Sequence, residues 1–161
     1  MDKGQYGRRD RLVKEKRHDT YREYGKWPEP TVCTKCNALF LGGRWSWKKP
    51  PADANRTTCP ACQRVADNYP AGYVELKGPF FRIHKEEILN LVRNEEKLEK
   101  GEHPLERIMA IVEEDEDAVI ITTTGIHVAR RIGEAVAKSY QGDFEFRYGD
   151  GEKSIRVFWT R

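Results

Sequence analysis

The sequence predicts an α+β protein built from consecutive parts, and three observations predict it. Two Cys-x-x-Cys pairs, Cys33/Cys36 and Cys59/Cys62, fall in one short stretch. An amphipathic run covers Pro79 to Gly101, and alternating apolar segments flank a second amphipathic run at Ile126 to Tyr140. The expected organisation is a flexible basic arm over residues 1–27, a four-cysteine module over 28–78, a linking helix over 79–103 and a ββαββ domain over 104–161. A chain of 161 residues with 38% apolar and 34% charged content suits such a division, with at least one part too thin in core to stand alone.

The arm carries nine Lys and Arg and five acids, with Leu12 and Val13 as its main aliphatic residues, too little apolar surface to order itself. Its Tyr6, Tyr21, Tyr24 and Trp27 are the rings that would dock on the rest of the chain or stack on a ligand. In the four-cysteine module, Ala38 to Leu41 and Arg44 to Trp47 read as two short strands. Gly42-Gly43 between them supplies the positive φ angles of a tight turn. Asn37 sits where a left-handed residue is wanted after the first pair. The polar stretch Lys48 to Thr58 reads as a loop. Pro60 suits the first turn of a short helix running to Asn68, and Pro70 stops it.

In the linking helix, Ile83, Ile88, Leu91, Val92 and Leu98 share a face, with Gly101 as cap and Pro104 as stop. Beyond it, Arg107 to Val112 and Ala118 to Thr123 form a hairpin around the acidic turn Glu113 to Asp117. A helix follows over Ile126 to Tyr140. A second hairpin pairs Phe144 to Tyr148 with Ser154 to Thr160 around Gly149-Asp150-Gly151. Alternation in both strands of this second hairpin implies a sheet with one face covered by that helix.

The cysteines carry the chemistry. Their spacing, Cys-x2-Cys-x22-Cys-x2-Cys, places two thiolates on each of two turns, the donor set of one tetrahedral zinc in a zinc ribbon or treble-clef-like module. Four cysteines and no others also fit metal thiolates in a reducing, cytoplasmic setting. Four thiolates leave no open position for water, so the reading is one structural, non-catalytic Zn2+ held by Cys33, Cys36, Cys59 and Cys62. Nothing assembles a nucleophile, base and orienting group, and no small-molecule substrate is expected. No stretch approaches the roughly 18 apolar residues of a membrane span.

Charge points to the partner. Residues 1–80 hold 16 Lys and Arg against 9 acids, whereas residues 81–161 hold 13 against 17. A polyanion would therefore meet the N-terminal half first. Arg8, Arg9, Arg11, Lys14, Lys16 and Arg17 in the arm, with Arg44, Lys48 and Lys49 interleaved with aromatic rings, are candidate nucleic-acid contacts. Trp45 and Trp47 share a strand face, which favours a core role for both. The Thr122–Thr124 run ahead of a helix bearing Arg130 and Arg131 suggests an anion site, against which stands simple capping by Thr124. His84 and His103 read as surface or packing residues. A protein-interaction adaptor pairing through an exposed edge of the ββαββ sheet is the alternative function.

The cysteines together with GGRWSW, EILNLVRNEEKLEKGEHPLERI and TTTGIHVARRIGEAVAKSYQGDFEFRY resemble a family of small prokaryotic zinc-ribbon proteins over most of residues 28–160. The chain is also distantly similar to the N-terminal zinc-binding region of the archaeal and eukaryotic large-ribosomal-subunit export adaptor. That resemblance implies a ribosome or RNA partner and carries over only Cys33, Cys36, Cys59 and Cys62.

Overall fold

A computed structural model describes residues 27–161. The chain first builds a small sheet from three-residue strands. β1 (Thr31–Cys33) turns back into β2 (Leu39–Leu41) through a knuckle in which Asn37 takes the expected left-handed conformation, φ 70°. Gly42 and Gly43, at φ 66° and 75°, then turn β2 into β3 (Arg44–Ser46). A Glu29 carboxylate accepts both glycine N–H groups, so the turn is pinned as well as permitted.

The expected loop over Lys48 to Thr58 contains a strand, β4 (Asn55–Thr57), which runs parallel to β1 and completes the order β3-β2-β1-β4. Its residues carry no strand-like alternation; pairing with β1, not local propensity, makes it a strand. α1 (Pro60–Asp67) follows, with Cys59 at its N-cap, Pro60 in its first turn and left-handed Asn68, φ 50°, ending it.

The four-cysteine module was expected to run to residue 78, but Gly72–Lys77 leaves it. This strand, β5, lies in the middle of a second, five-stranded sheet. Val74 and Leu76 alternate inward and are fully buried, a pattern consistent with a central strand. The expected linking helix is two: α2 (Pro79–Ile83) breaks at His84, and α3 (Lys85–Glu102) continues through Gly101 to a cap at His103. Gly101 is thus inside the helix, and His84 separates the two helices.

The rest follows the anticipated ββαββ order: β6 (Ile108–Asp115), β7 (Ala118–Thr123), α4 (Ile126–Tyr140), β8 (Asp143–Tyr148) and β9 (Ile155–Thr160). The sheet order is β6-β7-β5-β9-β8, with β5 and β9 parallel and every other pair antiparallel. Val74, Leu76, Val119, Ile121, Val157 and Trp159 point to one face, where Val128, Ile132 and Val136 of α4, Ile88 and Val92 of α3 and Phe81 of α2 close the core. On the opposite face, Arg156 lies over the Tyr73 ring at 4.5 Å and Arg147 over Phe158 at 5.7 Å. Among the described residues no helix is long and apolar enough to cross a membrane.

Candidate metal centre

The knuckle between β1 and β2 supplies Cys33 and Cys36, and the start of α1 supplies Cys59 and Cys62. All four sulfurs lie within 4.8 Å of one another, a set that can hold one metal ion. Zinc with Zn–S bonds of about 2.3 Å in a tetrahedron spaces its sulfurs about 3.8 Å apart. Cys36 and Cys59 already stand at 3.8 Å. Placing the second pair on a helix start matches the treble-clef alternative. Cys33 and Cys59 are buried, while Cys36 and Cys62 are half-buried.

Backbone donors surround the sulfurs. Lys35 and Cys59 N–H groups donate to Cys33 Sγ at 3.4 and 3.2 Å, and Cys62 N–H donates to Cys59 Sγ at 3.4 Å. Such donors would share the negative charge that sulfur carries when it binds a metal. The strongest donor comes from far along the chain. Arg107, just before β6, donates from Nη1 to Cys62 Sγ at 3.2 Å and from Nη2 to Cys36 Sγ at 3.0 Å and Cys59 Sγ at 3.6 Å. Its Nε donates to the Pro104 carbonyl at 2.7 Å, and Leu105 packs against the cysteine cluster. The Trp47 ring lies 5.9 Å from the guanidinium, and its Nε1 donates to Lys100 O at 2.7 Å. The α3–β6 connection is therefore docked on the metal centre.

The sulfurs titrate unequally. The hydrogen bond with Cys59, then the Ala38 backbone and the Arg107 charge, hold Cys36 down to about 4 against the opposing effect of burial. The same bond pushes Cys59 up, with burial adding to it, and burial pushes Cys62 up. Burial opposes the charge of Arg107, but the hydrogen bond to Cys62 and the nearby Cys59 and Cys36 sulfurs outweigh it, so its pKa rises. A divalent ion with four thiolates carries a net charge of −2, and this guanidinium offsets half of it. No local motif marks Arg107 in the sequence. It stands 45 and 71 residues from Cys62 and Cys36.

The other anticipated sites divide. Arg44, Lys48 and Lys49 are exposed on and after β3, while Arg8, Arg9, Arg11, Lys14, Lys16 and Arg17 lie outside the described residues, as does nearly all of the arm. Trp45 takes the expected packing role, with Trp27 and Phe40 each 5.4 Å away, ring centre to ring centre. Trp47, expected beside it in the core, is instead 39% exposed at the end of the small sheet.

At the start of α4, capping by Thr124 gives way to Glu106, whose Oε1 accepts from the Val128 N–H at 2.8 Å. Thr124 Oγ1 donates to the Leu105 carbonyl at 2.6 Å and accepts from Arg107 N–H at 2.9 Å, which spends it on the docked connection. Gly125 makes the carboxylate's approach possible: a Cβ there would stand 1.9 Å from Glu106 Oε2. Burial above all pushes the Glu106 pKa up. The anion site anticipated there is filled by this carboxylate. Arg130 turns to Glu134 at 2.9 Å and Tyr148 at 3.0 Å, and Arg131 to Glu99 at 3.4 Å.

No family model, no curated protein and no solved structure matches the chain.

Proposed function

We propose that the protein is a non-catalytic zinc protein that binds RNA or the ribosome through its basic N-terminal arm and cysteine module. The observation that carries the metal half is the set of four sulfurs within 4.8 Å of one another, backed by backbone N–H groups and Arg107. A closed shell of thiolates gives zinc a structural role, shaping the knuckle and the β2–β3 hairpin. The nucleic-acid half is supported by charge: 16 Lys and Arg against 9 acids over residues 1–80, with Arg44, Lys48 and Lys49 exposed beside the aromatic hairpin.

The adaptor reading, pairing through a sheet edge, fits less well. One edge strand, β6, ends in Glu113, Glu114 and Asp115, all exposed, and charges of one sign along it discourage strand addition there. Co-sedimentation with ribosomes and RNA at rising salt separates the two readings. RNA binding should fall steeply with salt and weaken when Arg8, Arg9, Arg11, Lys14, Lys16 and Arg17 are neutralised together. Recovery of one protein partner, unchanged by nuclease and salt, would sink it.

A further inference from the structure

Between the cysteine module and the sheet unit lies a cleft of about 280 Å³, walled on the module side by Trp27, Phe40 and Trp45 and on the sheet side by Glu106 and Ile126 at the start of α4. Trp45 and Glu106 also line the adjoining recess, where Arg44 stands. We infer that this cleft receives one unpaired base of a single-stranded RNA, stacked against the tryptophan wall with Glu106 accepting its N–H groups.

The inference rests on the RNA reading above and assigns it a place. Sequence-specific proteins take splayed-out bases by stacking them on aromatic side chains and hydrogen-bonding their edges, and a carboxylate accepts from the exocyclic amine of cytosine. The cleft has both parts. Its volume is at the small end for a ligand pocket, so it suits one base and excludes a duplex. Glu106 uses Oε1 on the Val128 N–H, and a carboxylate has about four lone-pair positions, so the bond that caps α4 leaves acceptor capacity on a residue that lines the cleft. Lys153 and Arg64 line the cleft, and Arg44 lines the adjoining recess together with Glu99, so a base's own phosphates would find cations on the cleft lining and one in the recess. The same cations disfavour the other ligand that an aromatic wall and a carboxylate attract, a lysine or arginine side chain of a protein.

The test uses the metal-loaded full chain and short oligo(C), oligo(A) and oligo(U) at low salt. Oligo(C) should bind more tightly than oligo(U). Trp45→Leu should weaken every oligomer about tenfold, the loss of one stacked base. Glu106→Met, which offers no oxygen acceptor, should abolish the preference for oligo(C). Because both side chains also support the fold, ultraviolet crosslinking of the unaltered protein supplies a second readout: crosslinked peptides should contain Trp27 or Trp45. If the protein binds RNA but both variants bind like the parent, or crosslinks fall instead on Tyr73 or Phe158 of the open sheet face, the cleft is not the site and the RNA reading stands. If no oligomer and no ribosomal RNA binds at any salt, both fall.

Discussion

The four strands of the cysteine module are each three residues long, and its buried apolar side chains are few: Leu39 and Phe40 on β2, and the cluster of Cys33, Ala38, Cys59 and Ala61. The five strands of the larger sheet run six to eight residues, and fourteen buried side chains, among them Trp159, Phe81 and Ile132, fill the space under α3 and α4. One chain thus reaches fixed structure by two routes. Where apolar density is high, burial holds the fold; where it is low, the sulfurs that replace a core are arranged for a metal. The difference teaches that the two units should respond to different insults, and that Arg107 is where they are made to respond together.

Removing the metal should have the largest effect. Structural zinc is worth about 10–16 kcal/mol to zinc-finger peptides at neutral pH. A chelator, or Cys59→Ser, should therefore abolish amide-exchange protection across residues 31–68 and leave β5 to β9 protected. Loss of protection in both units at once would break the contrast. The converse insult is Trp159→Ala, which empties a fully buried position. It should cost about 3–5 kcal/mol in denaturant unfolding, while one equivalent of metal stays bound at native conditions.

Arg107→Ala tests the tie between the units. Loss of a residue that hydrogen-bonds metal ligands typically lowers metal affinity about 10–100-fold. Release to a chelator should speed up accordingly, and amide exchange should rise over Leu105 to Ile108. Arg107→Lys should restore little, because an ammonium lacks the planar fork that reaches three sulfurs. The smallest effect concerns Glu106. Burial raises its pKa in the folded chain, so the folded state holds the proton more tightly than the unfolded one. Stability should decline as pH climbs from the ordinary carboxylate range through the raised value, then level off. Glu106→Gln should flatten that slope, followed by thermal unfolding of the sheet unit.

What could be read in the sequence was what neighbours decide. α4 runs over the anticipated Ile126–Tyr140 because its apolar period, unbroken by proline, is a local property. Gly42-Gly43 and Asn37 likewise announce their turns through their own backbone freedom. What escaped depends on distant residues. β4 becomes a strand only because Thr31, Val32 and Cys33 present it with free backbone groups. β5 owes its central place to Val157 and Ile121, its partners on either side. The four ligands were legible in their spacing, but Arg107 and the Glu106 cap were not, since each acts across more than twenty residues with no motif of its own.

The parallel pairing of β5 with β9, Val74 opposite Val157, bears on how the chain is made. A ribosome delivers the chain N-terminus first, so all four cysteines emerge well before the sheet can close, and the module can take up metal while the rest is still being synthesised. β5 can pair with β7 on one side as soon as Thr123 appears, but its other edge waits for the final strand. During that interval the middle of the future sheet is an uncovered edge, the kind of surface on which nascent chains aggregate. Ribosome stalling or truncation between residues 124 and 154 should therefore leave one side of β5 unpaired and promote aggregation.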